Sequence, residues 1–303
     1  MRYIYFVMKN SITRRAFIAA TTASILTTEA FAQELIIDIH QHTHYSGRTD
    51  EALIAHQKTM GISKTVLLPA GSKLGLEADI FGNDSALALV KKYPKQYYFF
   101  ANELPDIAET KIVIERYLKL GAIGIGEQKY FVDSDSSSIE LIAAIAREFR
   151  VPVLLHFQHG KYNMNFARFH KTLEKFPTVN FIGHAQTFWN NIDSKLDQSD
   201  LYPKHKVTRG GMTDRWLSDY VNMYADMSAG SGLNAMTRDE DHAREFLNRH
   251  QDKLLYGSDC NDTVGKGEKC SGAQQIATIR RLSPSKEITR KILSGNARRL
   301  LKI

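Results

Sequence analysis

Six side chains able to hold a metal or move a proton stand at comparable places in this sequence: His40, His42, Glu127, His156, His184 and Asp259. Each closes a short apolar run: LIIDIHQH, AIGIGEQK, VPVLLHF, VNFIGHA and KLLYGSD, the first supplying both leading histidines. Imidazole and carboxylate form the donor set of zinc, manganese or iron(II) and need no cysteine. One or two divalent ions are expected, zinc foremost, with Glu127 as the bridge when there are two. Such an ion lowers the pKa of its bound water to about 7 and polarises a carbonyl. Asp259 is the expected carrier of the water proton to the leaving group, and His184 the second acid/base group. Two histidines at HxH spacing are a weak signal; four further donors in order make it a strong one.

Such residues need elements that end together. Further apolar, β-branched runs begin near Lys64, Gln96 and Val221, making eight runs in all. Helix-compatible stretches lie between them at 50–60, 84–93, 107–119, 137–149, 163–175 and 238–250. Buried parallel strands alternating with helices predict an α/β fold, and eight such units predict a (β/α)8 TIM-type barrel. No GxGxxG turn or Walker loop supports the open doubly wound alternative. Strand alternation then predicts that Asp38, His40 and His42 share the interior face, with Asp38 a partner for an imidazole. On the fourth strand the same rule predicts Ile123, Ile125, Glu127 and Lys129 inside, with Gly124 and Gly126 outside, easing helix approach. Leu154 with His156, and Ile182 with His184, complete the inward set. Asp226 reads as either a loop support or a chemical group. Trp189 and Trp216, in the long 185–220 interval, read as either a lid or loop packing.

In order and spacing, His40-Gln41-His42, Glu127, His156, His184 and Gly257-Ser258-Asp259 resemble the amidohydrolase superfamily. The tail from Ile292 to Leu301 resembles the closing helix of its amidohydrolase-related branch. The resemblance covers residues 34–303. It implies that His40, His42 and Asp259 hold one metal, and that His156 and His184 hold a second when one is present. With one metal, it implies that His156 ligates and His184 aids catalysis. Glu127 resembles the strand-four glutamate of TatD-type members, where many others carry a carboxylated lysine. Lys129, two residues on, is expected to bind an anionic part of the substrate, and His44 to contact substrate. The other histidines, His56 among them, read as core or solvated residues.

The expected function is hydrolysis of an amide, ester or lactone-type bond in a small molecule. The alternatives are decarboxylation or hydration of an unsaturated acid on the same fold, and a non-catalytic periplasmic binding protein. Residues 1–32 read as an export leader, with Arg14-Arg15 resembling a twin-arginine signal and Ala30-Phe31-Ala32 a cleavage site. A periplasmic or secreted domain of 33–303 follows, and Met8 is an alternative start. Removing Arg2, Lys9, Arg14, Arg15 and Glu29 takes the net charge from +7 to +4. That excess has no basic run, which argues against a nucleic-acid partner. The leader's apolar stretch is too short for a comfortable membrane span, so no membrane role is expected of the mature chain; a homo-oligomer fits. Cys260 and Cys270 stand close enough to bridge one loop or to remain two thiols.

Overall fold

A computed structural model describes residues 34–71 and 78–303, so the expected leader at 1–32 lies outside the described residues. All eight apolar runs form strands: β1 (Ile37–Gln41), β2 (Lys64–Leu67), β3 (Tyr97–Phe99) and β4 (Ile125–Gln128), then β5 (Val153–His156), β6 (Phe181–His184), β7 (Met223–Asp226) and β8 (Leu254–Leu255). The first six are followed in turn by α1 (Asp50–Thr59), α2 (Asn83–Lys92), α3 (Thr110–Lys119), α4 (Ser137–Phe149), α5 (His170–Lys175) and α6 (Ala185–Asn190). Then α7 (Met212–Asp219) precedes β7, while α8 (Ala229–Thr237) and α9 (Glu240–Arg249) precede β8. The chain closes with α10 (Ser271–Leu282), α11 (Lys286–Arg290) and α12 (Asn296–Leu301).

Neighbouring strands pair in parallel, β1 through β3 in one sheet and β4 through β8 in another. Backbone bonds join the two: Ala101 N to Gly124 O and Gly126 N to Ala101 O, each 2.9 Å, and Ile39 N to Tyr256 O at 3.1 Å. The result is the closed (β/α)8 TIM-type barrel, which leaves no open sheet edge. Ile37, Ile39, Val66, Leu68, Phe100, Leu154, Ile182 and Leu255 fill its interior, and α12 inserts Ala297 and Leu301 there. The alternate residues, such as Leu67, Phe99, Val153, Leu155 and Phe181, pack outward against the helices. Among the described residues, no helix is long and apolar enough to cross a membrane.

Simple alternation holds on β5 and β6 but fails on β1 and β4. The β1–β2 register shifts between Asp38 and Gln41, where three steps on β1 answer two on β2. Ile37 and Ile39 are therefore interior along with His40 and His42, and Asp38 turns outward. On β4 the register shifts between Ile125 and Gln128. Ile125 lies in the outer layer while Glu127 faces the interior histidines. The break falls at Gly126, whose φ of 137° suits only glycine, and whose added Cβ would stand 2.6 Å from Leu154 O. Gly124 abuts the interior Phe100 ring, so neither glycine has the helix-facing role expected of it. Bulges of this kind re-aim side chains beside functional sites.

The predicted helix at 163–175 shortens to α5. Asn163 and Asn165 adopt positive φ, and Asn163 Nδ2 instead donates to Gln128 O and His156 O at 2.6 and 2.8 Å. Asparagine tolerates the left-handed region, and here its amide ties the ends of β4 and β5 together. Trp189 is fully buried, with Nε1 donating to Asp226 O at 2.8 Å, and Trp216 packs on Phe166. Both tryptophans are core, not lid.

Packing leaves no spare volume beside His184. An added Cβ at Gly183 would lie 2.2 Å from Phe188 Cε2 and 2.7 Å from Met223 Cε. Gly183→Ala is expected to cost about 1–3 kcal/mol by overpacking, read as a lower denaturation midpoint with an unchanged m-value.

Candidate metal centre

The six predicted donors meet at the C-terminal ends of the strands. His40 Nε2 and His42 Nε2 are 3.1 Å apart. Glu127 Oε2 lies 3.6 and 3.9 Å from them, and Asp259 Oδ1 lies 3.7 and 3.4 Å away. Four donors around an ion at about 2.0–2.2 Å have tetrahedral edges of about 3.3–3.6 Å. These separations straddle that range, so the two histidines and either carboxylate are spaced as ligands of one divalent cation would be. The other carboxylate oxygens face the remaining histidines. Glu127 Oε1 is 2.5 Å from His156 Nδ1 and 3.7 Å from His184 Nε2, and Asp259 Oδ2 is 3.6 Å from His184 Nε2. Glu127 thus touches both halves of the cluster, as a bridging carboxylate would. Asp259 Oδ1, buried and without a hydrogen-bond partner, is the acceptor that a cation would satisfy.

The imidazoles are oriented from behind. His40 Nδ1 donates to Asp226 Oδ2 at 2.6 Å, and His42 Nδ1 donates to Leu68 O at 2.6 Å. His184 Nδ1 lies 3.1 Å from both Asp226 Oδ2 and Ser228 Oγ, and Ser228 Oγ donates to Asp226 Oδ2 at 2.7 Å. All three rings therefore aim Nε2 at the common centre. Asp226 is the residue whose role strand order alone left open. Its signal was its place at the end of the seventh run, level with the other donors. Asp226→Asn removes the charge that holds two rings. A 10- to 100-fold loss of metal affinity is expected, read by titration against a competing chelator.

Asp38 does not partner an imidazole, because the β1 bulge turns it away. Its Oδ1 accepts from His40 N and Ser258 N at 3.1 and 2.8 Å, and its Oδ2 from Gln57 Nε2 at 2.8 Å and from Ser258 Oγ. Gln41 Nε2 donates to Ser258 Oγ at 2.6 Å and to Cys260 O at 3.0 Å, and Asp259 N donates to His40 O at 2.9 Å. The outward face of β1 thus clamps the segment that carries Asp259.

Electrostatics favour a cation. Burial opposes ionisation of Glu127, but His156 and His40 hold it well below the usual carboxylate range. Asp259 is likewise held well below that range against burial, first by His40. Asp226, under the same opposition, is held at about 2. Burial also works against a charged His40, yet Asp259 and Asp226 raise it well above the ordinary imidazole value. The field that draws a proton there is the field that would hold a metal. Burial pushes His156 down to about 4 despite Glu127, leaving its lone pair free to ligate.

Lys129 is half-buried at the mouth, its ammonium 5.4 Å from the centre of the Tyr162 ring, which meets His156 edge-on. His44 stands apart from the cluster: its ring stacks on Phe81 and its Nδ1 donates to Asp79 O at 2.9 Å. Cys260 and Cys270 are free thiols, with no bridge between them.

The fold recurs in known proteins. A solved TIM-barrel protein of Bordetella bronchiseptica, itself uncharacterised, superposes with a TM-score of 0.63 at 15% identity, covering 88% of this chain and 98% of its own. A putative 2-pyrone-4,6-dicarboxylic acid hydrolase of Pseudomonas putida gives 0.61 at 15%, covering 89% and 98%. A 2,6-dihydroxybenzoate decarboxylase of Rhizobium gives 0.55 at 15%, covering 89% and 99%. No curated protein matches the chain. The amidohydrolase family profile matches residues 37–303, which include all six converging donors and the closing helix α12. The chain belongs to the amidohydrolase family, in its amidohydrolase-related branch.

Proposed function

We propose that this chain is a metal-dependent hydrolase that cleaves an amide, ester or lactone-type bond of a small carboxylated molecule. The observation that carries the reading is the placement of Asp259. Its side chain is 13% exposed, against 0–1% for His40, His42 and His184, 4% for Glu127 and 7% for His156. Of the six donors Asp259 is the most exposed, facing the cluster and bordering the mouth where substrate and water arrive. A bound divalent ion supplies an acidified water and a polarised carbonyl. His40, His42, Glu127 and Asp259 would hold the first ion, and Glu127, His156 and His184 a second. Asp259 accepts the proton of the attacking water and returns it to the leaving oxygen or nitrogen, which its position between cluster and mouth permits. Lys129 receives a substrate carboxylate, its ammonium held at the rim beside Tyr162. The Pseudomonas putida neighbour is named for the hydrolysis of a dicarboxylic acid, which supports a carboxylated substrate here.

A second reading is decarboxylation on the same residues, favoured by the Rhizobium decarboxylase among the structural neighbours. A panel of carboxylated lactones, esters, acyl-amino compounds and hydroxybenzoates separates the two. Hydrolysis is expected to appear as uptake of one water without released carbon dioxide. Lys129→Met should then lower kcat/KM for carboxylated substrates by about 10- to 100-fold, the size of a lost charge-assisted hydrogen bond, and spare uncharged analogues. Carbon dioxide as the product would move the assignment to the decarboxylases.

A further inference from the structure

A second group of donors lies behind the loop that carries Asp259. His56 of α1, Cys260 beside Asp259 and Cys270 at the N-cap of α10 bring their donor atoms within 4.8 Å of one another. Cys260 Sγ and Cys270 Sγ are 3.6 Å apart, and Cys270 Sγ is 3.3 Å from His56 Nε2. All three residues are buried. Met60, just past α1 and one turn on from His56, places its Sδ 3.6 Å from Cys270 Sγ.

Two thiols buried only as small apolar groups would make no demand on an imidazole nitrogen. Around a tetrahedral zinc-type ion, with metal–sulfur near 2.3 Å and metal–nitrogen near 2.0 Å, sulfur–sulfur edges are about 3.8 Å and sulfur–nitrogen edges about 3.5 Å. The observed separations lie just inside those values, as a slightly contracted site would. Donor chemistry points the same way. The catalytic cluster is imidazole and carboxylate, whereas this one is two sulfurs and an imidazole lined by a thioether, a soft set.

We infer that His56, Cys260 and Cys270 form a structural site for a thiophilic divalent cation of the zinc type, separate from the catalytic centre. The cysteines bind as thiolates, releasing two protons, and their charges offset that of the ion. Ala273 N donates to Cys270 Sγ at 3.3 Å, a bond that favours the thiolate at a helix N-terminus. The ion would tie both ends of the irregular segment between Cys260 and Cys270 to α1. Arg48 and Gln41 already hold the Cys260 carbonyl at 2.8 and 3.0 Å. With its side chain anchored as well, Cys260 would fix the residue beside it, Asp259.

Cobalt(II) serves as the probe, added to the full-length protein purified under reductant and stripped of metal. The site should give an intense near-ultraviolet thiolate-to-cobalt charge-transfer band that one further equivalent of ion per chain saturates and Zn2+ displaces. Cys260→Ser and Cys270→Ser should each abolish that band. In the wild-type protein, Zn2+ should also slow thiol modification at least tenfold. Absence of the band in the reduced wild-type protein, or thiols equally reactive with and without Zn2+, overturns the assignment. Both readouts come from the unmutated chain, so a serine variant that fails to fold leaves the test intact. Cysteines isolated as a disulfide that bind no cobalt after reduction overturn it equally.

Discussion

Asp259→Asn is expected to lower kcat by about a thousandfold, within the 100- to 10,000-fold range of a removed acid/base group. The substitution keeps the shape of the side chain and an oxygen in the position of Oδ1, 3.4 Å from His42 Nε2. What it loses is the charge and the ability to take up a proton at the border between cluster and mouth. The clamp from β1 acts on Ser258 and on the backbone of Cys260, so the segment should keep its place. Metal content and kcat must be measured on the same preparation. A fall in kcat at retained metal content assigns the loss to proton transfer. Activity within tenfold of wild type, at equal metal content, would remove Asp259 from the mechanism.

Stripping the ion should be as severe and act on stability too. Glu127 and Asp226 are buried and Asp259 mostly so, three carboxylates held ionised in one small volume. Without a cation their mutual repulsion is relieved only by protons, as the raised His40 shows. An ion at a thousandfold excess over its dissociation constant contributes about 4 kcal/mol. For a chain of this size that corresponds to roughly 6–7 °C in Tm. A chelator should therefore abolish turnover and lower Tm by about that amount, with both restored by Zn2+, Mn2+ or Fe2+. The pH dependence has a defined sign. The metal must displace the proton that His40 carries in the metal-free protein, so affinity should fall as pH falls. Calorimetric titrations at two pH values check this, and tighter binding at the lower pH would contradict it.

The donor set was legible in the sequence because it rests on the most local of rules. An apolar run sufficient for a buried strand, ended by a histidine or carboxylate, marks the catalytic end of a barrel strand. On β5 and β6 alternation also placed the side chains correctly, since Leu154 and Ile182 are interior with His156 and His184 above them. The same rule misplaced Asp38 and Ile125. A bulge adds a residue without altering the apolar pattern, and only the pairing partner reveals the shift in register.

The residues that act from behind were beyond the reach of sequence for a related reason. Asp226 looked like any acid at a strand end until the closed barrel set it 2.6 Å from a ring 186 residues earlier. His56 looked like a core histidine until α1 met the start of α10 and put two sulfurs beside it. Sequence by itself determined which donor side chains gather and on what scaffold, because donor type and strand ends are local properties. Tertiary structure alone decided which way they point and what holds them there. Register, barrel closure and hydrogen bonds across the chain are relations between segments, and no single segment encodes them.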